Sequence, residues 1–186
     1  MRTNRASVIL VVLPMATWLT ACNSSPTAPD AIEPPPGTHQ SLFSAAIGPG
    51  TGGVSVTPRS IPEGTFAADI RIRVRGARPN TTYLIQRAPE VGRALASDGV
   101  CQRALGLSPW SASEPAAPAF VTFPVPNSGP LTSLTTSASG DGSLDFAFLV
   151  GSIPAGTRFD VMFRLVDDTA APAAELRSGC FTVTAL

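Results

Sequence analysis

Asp69-Ile70-Arg71-Ile72-Arg73-Val74-Arg75 alternates without a break between branched aliphatic and charged side chains. A period of two places Ile70, Ile72 and Val74 on one face of a strand and Arg71, Arg73 and Arg75 on the other. A helix would scatter the same arginines around its axis, so the segment is committed to a half-buried strand. Val54-Ser55-Val56-Thr57 repeats the pattern and stops at Pro58. Leu144, Phe146 and Phe148 alternate with Asp145 and Ala147, and Phe159, Val161, Phe163 and Leu165 with Asp160, Met162 and Arg164. Asp145 and Asp160 are therefore expected to face solvent. Cys180, Thr182 and Thr184 alternate with Phe181 and Val183 in a closing strand.

Turn chemistry divides these runs. Arg78-Pro79-Asn80-Thr81 leads into Thr82-Tyr83-Leu84-Ile85-Gln86-Arg87, which reads as the hairpin partner of the arginine-bearing strand. Ser139-Gly140-Asp141-Gly142 carries the Asp-Gly signal of a tight hairpin turn, because both positions tolerate positive φ. Ala119 to Val125 and Leu131 to Ser137 can each form a strand. Ala88 to Pro118 is irregular, with one short strand near Val100-Cys101-Gln102, and Asp167 to Leu176 reads as a loop. No segment has a long helical period. The count, roughly seven to nine strands with regular turn signals, predicts an all-β, antiparallel immunoglobulin-like β-sandwich. The stretch from Ser137 through Phe148 to Ile153-Pro154-Ala155-Gly156-Thr157 resembles the closing hairpins of bacterial immunoglobulin-like modules, and the resemblance implies that fold or its fibronectin type III relative.

The N-terminus specifies an address. Arg2 and Arg5 precede an apolar run from Ala6 to Leu19, 14 residues long, whereas a spanning helix needs about 20. Charge, short apolar centre and small-residue exit together describe a secretory signal peptide. Leu19-Thr20-Ala21-Cys22 then resembles the lipobox of bacterial lipoproteins. That resemblance implies cleavage before Cys22 and its acylation, and two acyl chains suffice for stable anchoring. Asn23, rather than an aspartate, favours the outer membrane over the inner. The expected organisation is a signal peptide over 1–21, a Pro/Ser/Thr-rich tether over 22–53 and the sandwich over 54–186. Pro34-Pro35-Pro36-Gly37 gives the tether an extended, solvated character, although Leu42, Phe43 and Ile47 could dock on the domain or begin its first strand. His39, the one histidine of the chain, reads as a solvated linker residue.

With Cys22 acylated, Cys101 and Cys180 remain, and an oxidising compartment would pair them. In the chain-entropy model such a long closed loop contributes about 4 to 5 kcal/mol.

Functional residues are few. The chain has 13 arginines and no lysine; Arg2 and Arg5 leave with the signal peptide, so 11 basic side chains face 13 acidic ones. That balance excludes a nucleic-acid binder with its basic excess. One histidine, placed in the tether, excludes a serine–histidine triad or a histidine metal cluster within the domain. No enzyme activity, metal or cofactor is expected. Asp141, Asp145, Asp160, Asp167 and Asp168 are the carboxylates available for hydrolysis or calcium, and read as turn or solvent-facing residues. Three features could bind a ligand. Arg71, Arg73 and Arg75 could hold a polyanion or pair with acids on neighbouring strands. Trp110 and Tyr83 could stack on a sugar. The reading is a membrane-anchored envelope lipoprotein acting as a non-enzymatic binding or structural module for a protein or polysaccharide; the alternative is a carbohydrate-binding lipoprotein using those aromatics.

Overall fold

The computed structural model describes residues 37–61, 65–107, 119–124, 131–151, 153–169 and 171–186. Among them lie ten strands: β1 (His39–Ile47), β2 (Thr51–Arg59), β3 (Thr65–Arg75), β4 (Thr82–Pro89), β5 (Val121–Thr122), β6 (Ser133–Thr135), β7 (Gly142–Gly151), β8 (Arg158–Asp167), β9 (Glu175–Ser178) and β10 (Phe181–Thr184). The one helix described, α1 (Gln102–Leu105), stands where a short strand near Val100-Cys101-Gln102 was expected. The fold is all-β and antiparallel, in the ladder order β5-β4-β8-β9-β1-β2-β3-β7, with β10 also on β8 and β6 on β4.

This sheet curls into a half-barrel. β1, β2, β3 and β7 form one wall, and the β4–β8 ladder with its neighbours forms the other. The seam between them is β1 on β9, where Phe43 lies opposite Ser178. Inward side chains of both walls share one core: Val56, Ile70, Ile72 and Val74 from the first, and Tyr83, Ile85, Phe163 and Leu165 from the second. The aliphatic face that alternation predicted for β3 is buried, with Ile72 at 0% exposure.

The predicted hairpin between β3 and β4 does not form. β3 pairs with β2 and β7, while β4 pairs with β5, β6 and β8. Both strands contribute an apolar face to the same core, so they belong to opposite walls and the connection turns a corner instead of a hairpin. Ala77 N donates to Gly140 O (2.9 Å) and Asn80 N to Ser137 O (3.1 Å), which ties that corner to the next one. The Asp-Gly turn is itself a corner: β6 before it pairs with β4, and β7 after it with β3. Gly140 sits there at φ +80°, and a Cβ would lie 2.0 Å from Ala77 O. Only glycine fits.

The folded part begins before Val54. β1 occupies residues assigned to the tether, and Phe43 is buried at 3%. His39 is part of this strand, and its Nε2 accepts from Thr184 N (3.4 Å). Burial, reinforced by the charge of Arg158, lowers its pKa.

β8 is buried on both faces, against the expectation that Asp160 would meet water. The cause is the irregular segment after β4, which covers the outer face and forms a second small core of Ala88, Cys101, Ala104 and Met162. Asp160 accepts from Gly99 N (2.7 Å) and Thr182 Oγ1 (2.5 Å), which fastens that cover down. β9 and β10 share one edge of β8 and are interrupted at Gly179-Cys180. At the interruption Ser178 Oγ accepts from Phe163 N (2.9 Å), replacing a ladder bond.

Candidate functional site

The arginine-bearing face of β3 points outward as predicted, and Asp145 of β7 lies in ion-pair range of two of its three arginines. Arg71 and Asp145 are register partners, with Nε–Oδ1 at 3.5 Å. Arg73 donates in two prongs, Nη1 to Oδ1 at 2.6 Å and Nη2 to Oδ2 at 3.0 Å. The Arg73 hydrogen bond holds the Asp145 carboxyl below the usual range and raises Arg73 in turn. Arg59 pairs with Asp69 at 3.5 Å. Arg75, opposite Thr51, has no carboxylate in ion-pair range among the described residues. An open groove of about 390 Å³ with a mixed polar and apolar lining runs past Thr57, Asp69, Arg71 and Asp145. Exposed pairs of this kind contribute about 1 kcal/mol or less.

Tyr83 is not a platform for a sugar. It is 0% exposed, inward-facing on β4, and its hydroxyl accepts from Arg78 N (3.3 Å). Its ring is core, and its oxygen braces the β3–β4 corner. Trp110 and Cys22 lie outside the described residues. Asp167, weighed as a cation ligand, is spent on its own loop. Thr169 Oγ1 (2.7 Å) donates to its Oδ1, and Ala173 N (2.6 Å) and Ala174 N (2.9 Å) to its Oδ2. The Thr169 hydroxyl, helped by the backbone donors, lowers its pKa. Among the described residues no group of three His, Cys, Asp or Glu side chains could hold a metal ion.

Cys101 and Cys180 meet. Their sulfurs lie 2.10 Å apart, the distance of a disulfide, and link the segment before α1 to the β9–β10 interruption. Glu90 reinforces the same region from beneath. It is 1% exposed, its Oε1 accepts from Arg103 N (2.7 Å), and burial pushes its pKa up.

The most unusual group is Arg87, the third inward position of β4 after Tyr83 and Ile85. It is 7% exposed. Its guanidinium carbon lies 3.9 Å from the Phe123 ring centroid and 4.5 Å from that of Phe148. Nη1 donates to Thr122 O at 3.3 Å, and among the described residues no carboxylate pairs with it. Burial, with the charge of Arg103, brings its pKa down to about 10, so it stays cationic at neutral pH. Burying an ion without its counter-ion costs several kcal/mol even after relaxation. Cation–π contact returns about 2 kcal/mol when desolvated. The charge is under-compensated.

Arg87 lines a cavity of about 300 Å³ whose other walls include Val56, Phe66, Phe148, Val150, Phe159 and Val161. The two ends of the ladder, β7 and β5, are not hydrogen-bonded to each other. Residues on or beside both ends, Phe148 and Val150 on one side and Phe123 on the other, bound the cavity. Phe123 stacks on Phe163 (5.8 Å) and meets Phe146 and Phe148 edge-on (5.3 and 5.0 Å), so one side of the cavity is backed by a packed aromatic cluster. An apolar cavity with one convergent charged group is the form of a small-molecule site.

No protein-family model, no curated protein and no solved structure matches this chain. The class that fold and site define is an all-β antiparallel domain with an apolar cavity and a buried cation. Sequence reasoning missed Arg87, though the signal is present: Tyr83, Ile85 and Arg87 stand at i, i+2 and i+4.

Proposed function

We propose that the chain is an exported lipoprotein of the cell envelope, anchored through Cys22, whose folded unit is an immunoglobulin-like sandwich that acts by binding. The sandwich reading draws on the pairing of β3 with β7, of β4 with β8 and of β8 with β10, which parallels the B–E and C–F–G neighbours of that fold. The ladder of β1 on β9 is a departure from it. Export draws on the signal-peptide pattern and on two cysteines at disulfide distance.

One observation carries the binding reading: the cavity between the walls, lined by apolar side chains and Arg87. The sugar-stacking alternative loses Tyr83 to the core. The test is titration of the full chain with naphthalene, a neutral probe matched to a cavity that holds about ten heavy atoms at about 30 Å³ each. A one-to-one complex is expected by fluorescence, and Val150→Phe, which fills the cavity, should abolish it. Equal binding by the variant would place the probe elsewhere and remove the cavity from the account.

A further inference from the structure

The naphthalene experiment asks whether the cavity binds anything; Arg87 defines what. We infer that the natural ligand is a small amphiphilic acid, with one carboxylate paired to the Arg87 guanidinium and an alkyl or aryl body of about eight carbons in the cavity. This inference rests on the cavity being the binding site.

Four observations support it. First, Arg87 is more than nine-tenths buried and lines the cavity, and no carboxylate among the described residues neutralises it. Second, a guanidinium carries five N–H donors, and the only hydrogen bond Arg87 makes among the described residues is Nη1 to Thr122 O. The remaining donors match the two oxygens of one carboxylate, the geometry for which arginine is suited. Third, the residues opposite it, Val56, Phe66, Val150 and Val161, offer no polar atom on their side chains. A sugar or a zwitterion would leave its other polar groups unpaired there, so the body of the ligand has to be hydrocarbon. Fourth, the cavity volume of about 300 Å³ admits about ten heavy atoms, which limits the ligand to a short chain or a single substituted ring rather than a phospholipid. A lone arginine also suits a monoanion better than a phosphate dianion, which recruits several donors.

The chemistry is reversible binding, with no bond made or broken. The carboxylate would supply the missing counter-ion, and the tail would displace water from the aromatic wall. Affinity should therefore depend on both halves of the molecule. Lengthening the alkyl chain by one methylene should tighten binding about fourfold until the cavity is full, and then stop.

The experiment is calorimetric titration of the full chain carrying Cys22→Ser, which removes the acylation site, in detergent-free buffer at neutral pH. The probes are sodium octanoate and 1-octanol, equal in chain length and different in charge. Octanoate should bind one-to-one and about tenfold or more tighter than octanol, the discrimination expected when a buried charge gains its partner. Arg87→Met, which keeps an unbranched apolar stem and removes the charge, should bring octanoate down to the octanol level and leave octanol binding at least as tight. The comparison of two probes on one unmutated cavity decides the matter even where the variant fails to fold. Equal affinity for acid and alcohol would overturn the assignment of an acid while leaving the cavity a site. Failure of both probes to bind would overturn the cavity reading as well.

Discussion

The guanidinium of Arg87 rests 3.9 Å from the centroid of the Phe123 ring, so the core of this domain is built around a cation and the aromatic face that shields it. Phe123 is 1% exposed and touches three other phenylalanines. Phe123→Ala should therefore cost about 3 to 5 kcal/mol in urea denaturation, as for a fully packed aromatic. A loss below about 1 kcal/mol would show that the cluster is loosely packed.

The acid side of stability falls in two ranges, one set by His39 and one by Asp167 with Asp145. Asp167 has a folded pKa below its unfolded value, so its stabilisation is complete above the unfolded pKa of about 3.9 and disappears as pH falls through the folded pKa. His39 is lowered too, but it is a base. The unfolded chain takes up its proton first, so stability declines as pH drops below about 6.5. Denaturation midpoints measured from pH 7.5 to 3 should fall in two stages. His39→Gln should remove the upper stage and Asp167→Asn should shrink the lower, which the exposed Asp145 shares. An unchanged profile in either variant contradicts its assignment.

Gly140→Ala should be among the most damaging single-methyl additions in the domain. The new Cβ would meet Ala77 O at 2.0 Å at a residue held at φ +80°. The clash falls on backbone, which cannot swing aside, and a loss of about 3 kcal/mol or more is expected. Gly156→Ala is the control, because φ is also positive there and nothing lies within 4 Å of the added Cβ. It should cost about 1 kcal/mol.

The three cysteines have separate fates in this account. Metabolic labelling with an alkyne-bearing palmitate should mark the wild type and fail on Cys22→Ala. Non-reducing peptide mass spectrometry should recover Cys101 joined to Cys180, and removing both should cost about 2 to 5 kcal/mol. Free thiols at Cys101 and Cys180 would remove the covalent link between the outer cover of β8 and the last strand.

Strands were legible in the sequence because alternation reports which side chains share a face, and Ile70, Ile72 and Val74 are buried together as read. Alternation does not report which strand lies alongside. β3 and β4 therefore looked like hairpin partners although they face each other across the core. Asp160 was misread for a related reason: its own strand says only that it points away from Phe159 and Val161, and the cover over that outer face comes from an irregular segment with no period. β1 was hidden because Phe43 is its one buried apolar residue, too few for a pattern. Arg87 could have been found, since an arginine in phase with Tyr83 and Ile85 has to point inward.

The most direct test is an experimental structure of the protein with octanoate bound. The account predicts the carboxylate on the Arg87 guanidinium, at about 2.8 Å between nitrogen and oxygen, with the alkyl chain lying against Phe148, Val150 and Val161. Octanoate seated anywhere else, or Arg87 paired instead with a carboxylate of the protein itself, would contradict it.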